Sequence, residues 1–470
     1  MAEISEESPP SPPSPPKNQA LNKRISNYVR GRYRKLLGGA KVTKDSAFSP
    51  NSDQQPAPEP QHRTISGYLG LIAKLTSVTS ASWHLLPVTD IFPETPSPEV
   101  YLYQDELMNT LLSLPNLTCL AFNGGRIPAW EPSPNQMKSL RILQINCESL
   151  SYTRAEIARV INFLIENCDK LSELQLRFHS TYWGPREFDG DPILGDILSS
   201  DATSNSDTTA GISAHMGKSQ LKTLTVSGCN MTLTRNAAVH LQNLSCLEIL
   251  DNECIRQQNF WDTIQAAGIE LKSIKLNSMD PSYLDYLHSY SGLECLELST
   301  RTSFRDWGDL RGQNMASIGG YSDHRAVKFY AAIEKHAETL EVLSIESYKE
   351  DLWCFGLHNA SIIGKLQQLR ILAIPIDSRM IVDTEAGLDV EDDVLCLFQQ
   401  VSNHSSLETI QWYLAAETVD RQTRARRRIL ALGKELQQNS MLDGDCRRFR
   451  WKSIYVHEPS ITSVAWQFIT

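Results

Sequence analysis

From residue 114 onward one short pattern keeps returning: Leu-x-x-Leu-x-Leu, or a close variant of it. It reads LTCLAF from Leu117, LRILQI from Leu140, LSELQL from Leu171, LKTLTV from Leu221 and LSCLEI from Leu244. It continues as LKSIKL from Leu271, LECLEL from Leu293, LEVLSI from Leu340, LRILAI from Leu369 and LETIQW from Leu407. WKSIYV from Trp451 reads as a degenerate eleventh copy. The ten starts are 23, 31, 50, 23, 27, 22, 47, 29 and 38 residues apart. A strand-plus-helix repeat of this kind takes about 20–29 residues. The 31 is then a slightly long copy, and the three wide gaps hold insertions near 179–217, 301–325 and 377–392, expected as loops that leave the repeat as surface excursions.

The pattern has a physical reading. Positions 1, 4 and 6 of each copy are apolar, and positions 4 and 6 alternate with polar neighbours as a half-buried strand requires. Helical stripes lie between copies. Ile157, Val160, Ile161, Leu164 and Ile165 form one, preceded by Thr153 and Glu156 at capping-box spacing. Val394, Phe398 and Val401 form another, with Asp392 and Asp393 suited to its first turn. Strand, loop and helix, repeated, give an α/β solenoid. Its parallel strands should line a concave face and its helices a convex one. A single unit cannot bury its own apolar face, so its stability comes from its neighbours. With 41% hydrophobic residues, the chain has enough apolar material for such a core.

These units resemble the leucine-rich repeats of the ribonuclease-inhibitor and F-box type, and their irregular spacing is most similar to the fungal F-box/LRR proteins. The resemblance covers roughly residues 114–456. It implies a horseshoe-shaped leucine-rich-repeat domain. It further implies that the repeats hold a substrate protein while an N-terminal F-box docks onto a Skp–cullin ubiquitin ligase. This chain departs from that pattern at the F-box. The similar start, Leu86-Pro87-Val88-Thr89-Asp90-Ile91-Phe92, runs at once into Pro93, Pro96 and Pro98, through which a helix cannot continue. Residues 64–113 are better read as a capping segment. In it, a helix around Tyr68–Leu75 leads into a strand-like stretch, and DELMNTLLSL forms the first repeat helix. The repeat domain is then 114–470.

Charge sets the N-terminus apart. Residues 1–63 combine SPPSPPSPP, a basic stretch and SPNSDQQPAPEPQ, a composition too poor in apolar surface to order itself. Residues 1–44 hold nine Lys or Arg and three Glu, a balance of +6. The whole chain carries −10 at pH 7, which leaves −16 for residues 45–470. An acidic body repels phosphate backbones, so no specific nucleic-acid partner is expected. Within the arm, Arg30, Arg32, Arg34 and Lys35 are candidates for a nuclear import signal or a weak contact with anionic membranes through 17–44. A solvated tail is the third reading. The N-terminal sequence lacks a basic start followed by an apolar stretch, and no run of 18 apolar residues occurs. A cytoplasmic or nuclear location is expected.

No sequence feature points to catalysis, a small-molecule substrate, a cofactor or a metal. GxxxxGK[ST], GxGxxG, HExxH and GxSxG are all missing. The ten cysteines are scattered without a CxxC pair. The His179 region and the acidic run at Asp389–Asp393 read as solvated loop and helix start. RQTRARRRILALGKEL at 421–436 reads as an outer helix of the last repeat. Function is therefore sought on the face carrying positions 3, 5 and 7. The candidates for binding a protein partner are Glu173, Gln175, Arg177, Thr223, Thr225, Glu248, Lys275, Asn277, Glu297, Ser299, Glu346, Gln411 and Tyr413. The expectation is a non-catalytic interaction module of the F-box/LRR substrate-recognition type. The alternative is a repeat scaffold or regulatory protein with no ubiquitin link, localised by its basic arm.

Overall fold

A computed structural model describes residues 77–85, 106, 109–124, 139–147, 161, 168, 170–178, 193–198, 220–250, 259–277, 280–299, 315–346, 352–377, 406–415, 427, 448–455 and 462–469. Contacts divide the chain into residues 1–60 and 61–470, and every described residue belongs to the second unit. The basic arm, the helix expected at 68–75, the stripe at 394–401 and most of 421–436 lie outside the described residues.

Eleven strands run parallel in chain order. They are β1 (Ser80–Leu85), β2 (Cys119–Gly124), β3 (Ile142–Cys147), β4 (Glu173–Phe178), β5 (Thr223–Ser227), β6 (Cys246–Leu250), β7 (Ser273–Leu276), β8 (Cys295–Ser299), β9 (Val342–Glu346), β10 (Ile371–Asp377) and β11 (Thr409–Ala415). Strands β2 to β11 each begin at position 3 of one of the ten copies. β1 comes from the segment ahead of them, where a strand-like stretch was expected. Parallel neighbours need a long crossover, and the intervals between copies supply it. The described helices are α1 (Leu194–Leu198), α2 (Arg235–Ala238), α3 (Phe260–Ala266), α4 (Pro281–Ser289), α5 (Met315–Ile333) and α6 (Leu357–Ile363). Each packs on the next in sequence.

The core follows the repeat position by position. Every described residue at positions 1, 4 and 6 of the ten copies is buried, and Leu174, Leu247 and Leu296 are 0% exposed. These side chains share one apolar cluster with helix residues such as Trp261, Tyr286, Phe329 and Ile363. Local chemistry explains where the helices begin. Asp280 caps α4, its carboxylate accepting from the Ser282 N–H at 2.8 Å, with Pro281 at the first helical position. Thr234 caps α2 in the same way through the Ala237 N–H. Tyr286 ties α4 to the approach of β7. Its hydroxyl donates to the Ile269 carbonyl at 2.9 Å and accepts from the Leu271 N–H at 3.1 Å. Burial pushes that phenol up to about 12, so it stays protonated. Gly228 closes β5 with φ +66°, and a Cβ there would lie 1.9 Å from the Phe178 carbonyl oxygen, so glycine is required.

The sequence reading needs three corrections. The stretch 179–217 is not wholly a surface excursion. Ile193 bridges Asn230, and α1 buries Leu194, Ile197 and Leu198 in the core. Apolar residues at helical spacing inside the insertion were overlooked beside its Ser/Asp-rich part. The stretch 301–325 is not all loop, because α5 starts at Met315 and so includes Tyr321. The motif at Trp451 is not an eleventh parallel unit. It lies in β12 (Arg448–Tyr455), which pairs antiparallel with β13 (Thr462–Ile469), and β13 pairs antiparallel with β11. The six residues 456–461 that join β12 to β13 allow a hairpin but no crossover.

A polar face built from three rows of the repeat

Parallel pairing without slippage sets equal positions of successive copies side by side. In the register Glu173, Thr223, Cys246, Ser273, Cys295 and Val342 follow one another across β4 to β9. Gln175, Thr225, Glu248, Lys275, Glu297 and Ser344 form the neighbouring row. Side chains alternate along a strand, so positions 3, 5 and 7 leave the sheet on the side opposite the core. Their burial agrees: in β3, β4, β6 and β8 partly exposed residues alternate with buried ones.

The middle of the position 5 row is an electrostatic ladder. The Thr225 hydroxyl donates to Glu248 Oε2 at 3.2 Å, and Lys275 Nζ lies 3.1 Å from Glu248 Oε1 and 3.5 Å from Glu297 Oε2. Four adjacent strands are thus linked by side chains of alternating role. Partial burial pulls the Lys275 ammonium down, but its hydrogen bonds and the charges of Glu248 and Glu297 outweigh that and raise it overall. In the next row Ser299 donates to Glu346 at 3.1 Å. Thr225 departs from the expected solvent-facing position, being 3% exposed. It is short and sits between the longer Gln175 and Glu248 on strands about 4.8 Å away.

The first strands carry a different surface. Gln144 and Gln175 adjoin in one row, and Asn123, Asn146 and Arg177 in the next. Asn123 Nδ2 donates to Ser82 Oγ at 3.0 Å, and Asn146 Nδ2 to Asn123 Oδ1 at 2.5 Å. Gln175 Nε2 donates to Glu173 Oε1 at 2.7 Å. Two polar atoms here are shielded from solvent without a hydrogen-bond partner: Asn146 Oδ1 and Arg177 Nε.

The remaining candidates fall as the register dictates. Thr223 is half-buried on β5, and Gln411 and Tyr413 lie on β11 beside Ala373 and Pro375 of β10. Asn277 follows β7, its N–H donating to the Ile249 carbonyl at 3.2 Å. Arg30, Arg32, Arg34 and Lys35 lie outside the described residues. Gln144, Asn123 and Asn146 were missed among the candidates. Reading positions 5 and 7 off the first two copies would have found them. Cys246 and Cys295 stand on either side of Ser273, and burial raises both thiols. Among the described residues no group of three or more His, Cys, Asp or Glu could hold a metal ion, and no helix is long and apolar enough to cross a membrane. No protein-family model matches the chain, and no curated protein is significantly similar to it in sequence.

Proposed function

We propose that this chain is a non-catalytic interaction module that holds a protein partner on its polar row face. The observation that carries the reading is the sheet itself. Ten copies of one motif set the side chains at positions 3 and 5 in two uninterrupted rows of a single register. A stack of this kind curves into a horseshoe with strands inside and helices outside. In such a horseshoe the rows would line the concave side, where a protein segment can lie against them. The mixed charge of the rows suits a protein better than a nucleic acid, which would call for a basic stripe or interleaved aromatics. By its resemblance to F-box/LRR proteins, the module recognises substrates for a Skp–cullin ubiquitin ligase. The alternative is a scaffold with no ubiquitin link, placed by its basic arm. It is favoured by the prolines Pro93, Pro96 and Pro98, which interrupt the F-box-like start.

Affinity capture of the full chain tests both parts. Recovery of Skp and cullin subunits, with a further protein lost when Glu248, Lys275 and Glu297 are replaced by Ala, is the expected result. A partner that binds the triple variant undiminished would reject the row face. A face-dependent partner without Skp or cullin would favour the scaffold.

A further inference from the structure

We infer that the entry edge of the first strands holds a second docking site, for an acidic, extended peptide segment. One carboxylate of that segment enters a pocket lined by Arg141 and Lys170, and another meets Lys222. The site goes beyond the row face and uses none of Glu248, Lys275 and Glu297. Position 2 of each copy lies just ahead of its strand, and its N–H donates to the position 2 carbonyl of the copy before. Arg141, Ser172, Lys222, Ser245 and Lys272 follow one another in this way, so they too form a row. The two serines are half-buried and turn their hydroxyls to the Arg141 and Lys222 carbonyls, at 3.3 and 3.2 Å. The three cations between them are exposed. The row then changes sign, at Glu294 and Glu341.

Pairing separates these cations. Lys272 is held by Glu294 at 2.5 Å, and Arg370, further along the row, by Glu341 at 3.3 Å and Glu408 at 2.8 Å. Among the described residues Arg141, Lys170 and Lys222 make no ion pair. Arg141 and Lys170 also line an open pocket of about 270 Å³ together with Ser77, Thr79, Thr118 and Ser139, and no described carboxylate lines it. The Thr118 and Ser139 hydroxyls are spent on the Thr79 and Leu117 carbonyls, at 3.0 and 2.8 Å. The charged donors of the pocket are therefore Arg141 and Lys170. A carboxylate there meets the planar fork of an arginine and a second positive charge, with no competing anion. Residues two apart in an extended segment lie about 7 Å from each other on one side. A second carboxylate then points along the edge toward Lys222, two strands beyond Arg141. Past Lys272 the acids Glu294 and Glu341 repel such a segment, which confines it to the entries of β1 to β5. A nucleic acid, with a phosphate at every step, would call for a longer run of cations.

The test is selection of a display library of randomised linear peptides against the immobilised full chain, followed by fluorescence polarisation of the enriched peptides. These are expected to share two or more Asp or Glu residues, against the repulsion of an acidic body. Their affinity should fall about tenfold on Arg141→Ala and on Lys170→Ala, the size expected for a charge-assisted hydrogen bond in a pocket. Lys222→Ala, on the open edge, should cost about threefold. Lys328→Ala removes the same charge from α5 and should change nothing. Thermal melting checks that each variant is folded. Four outcomes overturn the inference. In the first, no acidic peptide is enriched. In the second, Lys328→Ala weakens binding as much as Arg141→Ala, which makes the attraction one of overall charge. In the third, acidic peptides ignore Arg141 and Lys170 but are lost when Glu248, Lys275 and Glu297 are replaced by Ala, which leaves the row face standing without this site. In the fourth, single-stranded DNA displaces the peptides at equal concentration, which makes the edge a general polyanion surface.

Discussion

The two sides of the same strands obey different rules. On the core side, positions 4 and 6 stack leucine on leucine, and each copy repeats its neighbour: Leu174, Leu224, Leu247, Ile274, Leu296 and Leu343 sit side by side. On the other side no two neighbours need be alike. Amide side chains link β1 to β3, and carboxylates bridged by a lysine link β6 to β8. Burial explains the contrast. The core side must remain apolar wherever it lies, because each unit completes its neighbour's packing. The solvated side contributes little to stability, so its residues are free to differ. That freedom lets one scaffold present a specific surface.

Substitutions on the two sides should differ in what they cost. Leu296→Ala should cost about 2–5 kcal/mol, since Leu296 is 0% exposed between two strands that hold their spacing and the site cannot collapse. Chemical denaturation measures it, and a loss under about 1 kcal/mol would mean that Leu296 is not in the core. Tyr286→Phe keeps the ring but strands the Leu271 N–H and the Ile269 carbonyl, at a cost of about 1–3 kcal/mol. A melting temperature equal to that of the parent would show that these hydrogen bonds do not tie α4 to β7. Lys275→Met on the polar side should change stability by less than about 1 kcal/mol, because the ladder is partly exposed and screened by salt. A large loss there would erase the distinction between the two faces.

A smaller effect depends on pH. His336 is 1% exposed, accepts from the Leu293 N–H at Nδ1 (3.2 Å) and donates from Nε2 to the Leu287 carbonyl (3.0 Å). Burial first, and the neighbouring Lys335 charge, lower its basicity below the ordinary 6.5, despite the hydrogen bond to Leu287. The unfolded chain therefore takes up a proton that the folded one refuses, and stability falls as pH drops below about 6.5. His336→Gln supplies both a donor and an acceptor without titrating, so the acid slope should become shallower. His240, shifted in the same direction by burial, would keep some of it. A slope unchanged by the substitution would mean that His336 is not the group that resists protonation.

The repeat is legible from the order of residues alone. The spacing of Leu at positions 1, 4 and 6 located ten strands, their buried side and the rows on the opposite side, because side-chain alternation along a strand has period two. Thr223, Glu248, Lys275 and Glu297 could be placed in rows by counting alone. Tertiary structure decided what counting could not. It turned Trp451 into part of a hairpin, since pairing direction depends on connection length and on which edge is free. It drew α1 and the start of α5 out of stretches read as loops, where a few apolar residues were outweighed by polar ones. It also joined Asn146 to Asn123 and Asn123 to Ser82, because hydrogen bonds between strands depend on which side-chain atoms meet across a few ångströms, and the repeat motif constrains the apolar positions alone.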